Sequence, residues 1–495
     1  MELNYKTRID IVWLVSCVSF YFVLVVLCSG SYLINSYEFN SLIEFRYQRL
    51  ITIASLSYFF LLTLLSLRSI KWFWLILPFV ILTVPNAINS IFPGFYLTHV
   101  GERGNASFAF VSHIDLYFLI NICARFLLPF QKKLYISSQF KALKLACFLL
   151  LVSLTINSVL AIIKNSDFLY ILNGAFHFRY LFFALLFANE LFDIENEKSF
   201  VNGIAYSIPL LAAEAFASTF LGGDSIFGEL KSGNFANNVF GNFLAVLFVY
   251  FLSIRKVREY QNPLFIFVLF LLLCLIFMTG VRGAILSLGL GLTALYFLIR
   301  KSAQTITMYF LILLLILISL LYVFDLLWIF DYVGELFESF RLVIESGYGT
   351  KGIKIDESNS SIITRIAIWK STIYMALDNW VFGIGSSNWN YLKAEYGVPF
   401  KVLLDPHNDY LNFICLYGVT GFLIIYLLYI KQVIYVIFSR IKGAINPYRI
   451  ALFTMSVSSI TNANNSKHQV FAMVSVFLIL AYVVTIRNHF QFLKE

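Results

Sequence analysis

The chain has 495 residues, of which 60% are hydrophobic and 13% charged, with a mean hydropathy of +0.81. This is more apolar surface than one soluble core can hide, so the composition excludes a soluble globular protein and predicts a polytopic membrane protein. The formal charge of +9 falls mainly on alternate connections between apolar runs, which is the positive-inside pattern and argues against a nucleic-acid partner.

Taken in chain order, the first apolar run, Ile11 to Cys28, lacks a small-residue cleavage site and is read as a retained span. Further runs include Leu264 to Phe277 with its continuation and Thr307 to Phe324, each near or beyond the length needed to cross a bilayer. The strand-like alternation of a barrel is absent, so helices are the spanning elements. The apolar runs predict an all-α bundle of about fourteen transmembrane helices. About eleven of these fall in residues 1–324 and about three in 409–495, on either side of a long loop over 325–408.

Basic inner connections are marked by Arg68 and Lys71, by Lys132-Lys133 through Lys144, by Arg255-Lys256-Val257-Arg258, by Arg300-Lys301, and by Lys431 to Lys442. They place both termini in the cytoplasm and the long loop outside. One inner connection is acidic, and its Asp193-Ile194-Glu195 is read as a solvated loop rather than a metal site. The six cysteines sit in apolar stretches without paired spacing and are read as small buried hydrophobes, with no disulfide or metal implied.

The first half of the long loop, with Gly347, Gly349, Gly352 and Asp356-Glu357-Ser358-Asn359-Ser360-Ser361, reads as flexible. In the second half Ile366, Trp369, Ile373 and Ala376 recur at helical spacing, and Gly383-Ile384-Gly385-Ser386-Ser387 predicts a tight turn. The loop ends in Asp405-Pro406-His407-Asn408-Asp409, where a histidine flanked by two carboxylates meets the next apolar run.

Ionisable groups within or beside apolar spans are costly unless paired or wetted, so each is a candidate. Arg282, in Thr279-Gly280-Val281-Arg282-Gly283-Ala284, either snorkels to lipid phosphates or serves a site whose ligand approaches the flanking glycines. Arg179, beside His177, and Glu214, among alanines, either pair with neighbouring helices or belong to the same site. Arg365 either caps or pairs within the loop, or binds an anion. His407 is held at the membrane surface by Pro406 and the helix that follows, where a neutral imidazole can accept a proton. Arginine forks that bind phosphate oxygens, with one histidine and no metal-ligand pattern, suit displacement of a phosphorylated leaving group by an alcohol.

Three ordered blocks resemble the O-antigen ligase and polymerase superfamily of bacterial membrane glycosyltransferases: Thr279 to Ala284; Arg365 through Trp369 to Gly383-Ile384-Gly385; and His407-Asn408-Asp409-Tyr410-Leu411 to Gly418-Val419-Thr420-Gly421. The chain departs from the family pattern at Val281, Trp380 and Leu416, the last of which withholds a common carboxylate and leaves Asp405, Asp409 or Glu214 as substitutes.

The resemblance implies a GT-C-like bundle in the bacterial inner membrane. It implies metal-independent transfer, without a cofactor, of a glycan from undecaprenyl pyrophosphate to an acceptor sugar on the periplasmic side. It assigns Arg282 and Arg365 to the pyrophosphate, with Arg179 as a weaker partner, and His407 to the acceptor hydroxyl, with Asn408 fixing the histidine or a sugar.

The acceptor is a lipid-linked repeat unit for a polymerase, with a chain-length regulator as an optional partner, or lipid A core for a ligase. A protein acceptor would make the chain an oligosaccharyltransferase. About fourteen spans lean toward the polymerase. A lipid-linked glycan transporter is the rival of a different class, and would be expected to show matching halves with broken midplane helices.

Overall fold

The computed structural model describes residues 19, 41–84, 96–99, 106–109, 112–127, 140–163, 178–221, 237–258, 263–299, 362–385, 389–398, 406–438, 446–461 and 468–492. The elements in these ranges are α1 (Ser41–Ser66), α2 (Ile70–Thr83), β1 (Tyr96–His99), β2 (Ala106–Ala109), α3 (His113–Leu127), α4 (Lys141–Ile163), α5 (Arg179–Leu186), α6 (Ile194–Leu221), α7 (Asn237–Arg258), α8 (Pro263–Thr279) and α9 (Arg282–Ile299). After them come α10 (Ile362–Asp378), the single turn α11 (Trp389–Leu392), α12 (Asp409–Ile425) with a π-helical continuation over Tyr426–Ile430, α13 (Lys431–Phe438), α14 (Pro447–Thr461) and α15 (His468–Phe492).

Among the described residues four helical stretches are long and apolar enough to cross a membrane: Arg49–Ser66, Ile194–Phe216, Asp409–Val436 and Gln469–Asn488. Leu264 to Phe277 falls on α8, one of the shorter apolar helices, while Ile11 to Cys28 and Thr307 to Phe324 lie outside the described residues. The described residues bear out the all-α class, with one local addition. Tyr96–His99 and Ala106–Ala109 pair as an antiparallel hairpin, a local ladder too short to show as alternation in so apolar a sequence.

The core is built on α15, buried along most of its length, with α2, α5, α6, α7 and α14 around it. Lipid tails are as apolar as leucine, so close packing and buried polar bonds hold such helices together. Aromatic stacking is dense where α2, α3 and α5 meet, with Phe73 stacked on Tyr117 at 5.4 Å and on Phe187 at 4.4 Å.

Charged groups collect at two ends. At one, Arg125 lies between the rings of Phe73 and Phe187 and donates to Glu190 at 2.9 Å, and Glu190 also accepts from Trp74 Nε1. Glu197 at this end accepts from Tyr448 and Arg487. Glu195 stays exposed and pairs with Lys198 and Lys71, so Asp193-Ile194-Glu195 is a solvated segment as the sequence suggests. The other end carries the candidate site.

Candidate functional site

His407 has φ of 48°, the one non-glycine residue with positive φ among those described. For an L-residue this left-handed conformation costs roughly 1–2 kcal/mol. It persists because both flanks are fixed. Upstream, Trp369 Nε1 of α10 donates to the Pro406 carbonyl at 2.8 Å. Downstream, Asn408 caps α12, its Oδ1 accepting from Leu411 N at 3.1 Å, while its Nδ2 donates to the Ile460 carbonyl near the end of α14 at 2.8 Å. The imidazole is thus carried on a strained residue, partly exposed, between two helices that hold its neighbours.

Asp409 and Tyr410 turn the other way. Asp409 is buried and accepts from Tyr429 Oη, which also bonds Ser459 Oγ at 2.9 Å, and Tyr410 Oη donates to the Ser456 carbonyl. Asp409 therefore braces the first turn of α12 against the π-helical segment, whose Tyr429 also bonds α14. Its removal would leave a buried tyrosine hydroxyl with a poorer partner.

Arg365 stands one turn before Trp369 on α10, half-buried, so the bond from Trp369 to Pro406 brings Arg365 to the neighbourhood of His407. The far end of α10 is fixed equally firmly. Gly418 (φ 55°, ψ −131°) breaks α12, and the freed backbone groups bond to the turn after α10: Ile384 N donates to Cys415 O at 2.9 Å, Gly385 N to Leu416 O at 3.0 Å, and Val419 N to Val381 O at 3.2 Å. Gly383 (φ 73°) must be glycine, since a Cβ there would lie 2.3 Å from the Leu416 carbonyl oxygen. The predicted Gly383-Ile384-Gly385 turn and the Gly418-Val419-Thr420-Gly421 segment are thus two halves of one joint. Leu416 supplies a carbonyl to it while its side chain is buried.

Arg179 opens α5 and forms a two-pronged pair with Asp115 of α3, through Nε to Oδ1 and through Nη2 to Oδ2 at 2.6 Å. Asp115 also closes a capping box on Ser112, accepting from Ser112 N at 2.6 Å, and Ser112 Oγ meets Tyr180 Oη at 2.8 Å. The preceding residue, Phe178, packs on Phe413 and Tyr417 of α12 and on Phe471 of α15. The Arg179–Asp115 pair therefore sits beside the first half of α12, at the same end as His407. Asp115 was missed from sequence, although a carboxylate inside an apolar run and the Ser112-x-x-Asp115 spacing both marked it.

Arg282 begins α9 after Gly280 and Val281, and its side chain lies outside those described. α9 packs on α14 where a Cβ on Gly291 would meet Thr454 Oγ1 at 2.5 Å, so α14 is the common neighbour of the Arg282 helix and the His407 loop. Glu214 is half-buried in the part of α6 remote from Glu197. Asp405 and His177 lie outside the described residues, as does the first half of the long loop. No group of three or more histidine, cysteine or acidic side chains suited to a metal occurs among the described residues.

Residues 267–426 match the family model described as O-antigen ligase. The match spans all three sequence blocks, with Arg282, Arg365, His407, Asn408 and Asp409, and leaves out Arg179 and Glu214. It bears out the resemblance to the O-antigen ligase and polymerase superfamily. No curated protein matches the chain.

Proposed function

We propose that this membrane protein is an inner-membrane glycosyltransferase of the O-antigen ligase and polymerase type, transferring a glycan from undecaprenyl pyrophosphate on the periplasmic face. The observation that carries the reading is the strained His407, clamped between α10 and α14 inside the matched segment, with Arg365 one helical turn from the clamp. Strained backbone concentrates where a side chain must be held for chemistry.

In this mechanism the imidazole of His407 accepts the proton of an acceptor sugar hydroxyl. The hydroxyl oxygen attacks the anomeric carbon, whose bond to the pyrophosphate oxygen breaks. Polyprenyl pyrophosphate leaves with the bonding pair, and Arg365 and Arg282 stabilise the charge that develops on it. The helical rise supports Arg282 as a member of the set. It lies ~13 Å along α9 from Gly291, Ile460 lies ~9 Å along α14 from Thr454, and an antiparallel pair would set both on the same side of that contact, within ~4 Å in height. Arg179, committed to Asp115, acts by holding α3 and α5 beside α12 rather than by binding the pyrophosphate directly.

Within this class we favour the polymerase, with lipid-linked repeat units as donor and acceptor. Deletion of the gene tests the choice: surface lipopolysaccharide carrying a single repeat on its core identifies a lost polymerase, whereas long polymer accumulating on the lipid carrier identifies a lost ligase. Normal lipopolysaccharide and no accumulated carrier would reject both.

A further inference from the structure

The helix after the long loop carries a second face that transfer chemistry does not need. On α10 the side chains of Trp369, Thr372, Met375 and Ala376 point into the protein, whereas Ile373, Tyr374 and Leu377 are exposed. The exposed stripe continues into the following turn, where Trp380 is 64% exposed and Val381 and Phe382 are also open. These side chains adjoin Val419 and Phe422 of α12, both more than half exposed on a helix apolar enough to cross the bilayer, because Val381 O takes the Val419 amide proton. The patch is therefore continuous with a lipid-facing surface.

Depth along α12 agrees. Gly418 lies ~13 Å from the start of the helix at Asp409, and the apolar stretch Asp409–Val436, at ~42 Å, exceeds the ~30 Å hydrocarbon layer by about that amount. The turn bonded at Gly418 thus stands near the boundary between headgroups and acyl chains. Its polar margin fits this level, since Asp378 accepts from Tyr396 Oη at 2.9 Å beside exposed Glu395. Tryptophan and tyrosine beside a charged edge suit such an interface.

We propose that the α10 stripe and the Trp380-Val381-Phe382 turn form a wedge seated in the site-side leaflet of the bilayer. Nonhelical backbone is tolerated there because the broken α12 satisfies the turn's amides and carbonyl. The wedge sets the height of the reactive loop. Trp369 rises ~16 Å along α10 above Trp380, so His407 stands at or just beyond the headgroups. On the glycosyl-transfer reading, that is the height of a sugar on a lipid pyrophosphate.

The test uses the full chain in lipid nanodiscs and requires no activity. Tryptophan emission of the wild type is compared with that of Trp380→Phe, which keeps the apolar ring, and the difference isolates Trp380. A nitroxide near the lipid headgroup should quench this difference at least about twofold more than aqueous iodide does. Phe382→Cys carrying an environment-sensitive dye, with the unsubstituted protein as labelling control, should show the blue-shifted emission of an apolar setting and the same quenching order. Quenching by iodide alone would place the turn in water and overturn the proposal. So would resistance to both quenchers, which would show the patch covered by protein.

Discussion

At the scale of single residues, His407 shows how backbone and side chain divide their roles. The left-handed φ of 48° is a cost that a glycine would not bear, and on the proposed function the imidazole is the group for which the cost is accepted. His407→Gly should therefore abolish transfer while leaving the protein at least as stable as the wild type, gaining up to ~1 kcal/mol in thermal or denaturant unfolding. His407→Ala keeps the Cβ and should lose transfer without that gain; equal stabilities for the two variants would show that no strain resides there.

The clamp has its own signature. Trp369→Phe keeps an aromatic ring but removes the donor to the Pro406 carbonyl, and should cost ~1 kcal/mol. It should lower turnover more than donor affinity, since it loosens the loop that carries the proposed base; unchanged turnover would remove Trp369 from the positioning of His407. The histidine and the arginines were legible from sequence because ionisable groups are rare in so apolar a chain. Asp115 and the inward turn of Asp409 were not, because which carboxylate faces a partner depends on helix packing.

Among elements, the joint between the turn after α10 and the break in α12 is the least replaceable. A Cβ at Gly418 would lie 2.5 Å from the Trp380 carbonyl oxygen, and one at Gly421 would lie 1.8 Å from the Phe413 carbonyl oxygen. Gly418→Ala and Gly421→Ala should each destabilise by at least ~2 kcal/mol, from backbone strain and displaced main chain. Both should show lowered yield of folded protein and a lower unfolding temperature. Wild-type stability in Gly418→Ala would mean that the joint does not hold α10 in place, and in Gly421→Ala that the close approach to Phe413 does not set the break in α12. The sequence predicts the Gly383-Ile384-Gly385 turn, and the helical spacing of Ile366, Trp369, Ile373 and Ala376 marks α10. That the two elements dock on one another was not legible, since backbone bonds across more than thirty residues leave no periodic trace.

For the whole molecule, the separation of charge into two ends predicts an orientation. The end remote from His407 carries Arg125, Lys198, Arg449 and Arg487, with Glu190 and Glu197 paired among them. Short connections rich in lysine and arginine are retained in the cytoplasm, and acidic residues weigh little against them. α12 runs from His407 toward the basic connection of residues 439–445, which contains Arg440 and Lys442, and this opposes the two ends. An alkaline phosphatase reporter inserted at Gly352 should therefore be active, and one inserted at Gly443 inactive. Because the candidate span Asp409–Val436 falls between the two positions in the chain, the pair of results is internally controlled. Activity at Gly443 with silence at Gly352 would turn the molecule over and put His407 on the cytoplasmic face, where a periplasmic glycan transfer has no substrate. Activity at both would instead show that this helix does not cross the membrane, and would remove the basis for the depth assigned to the α10 turn.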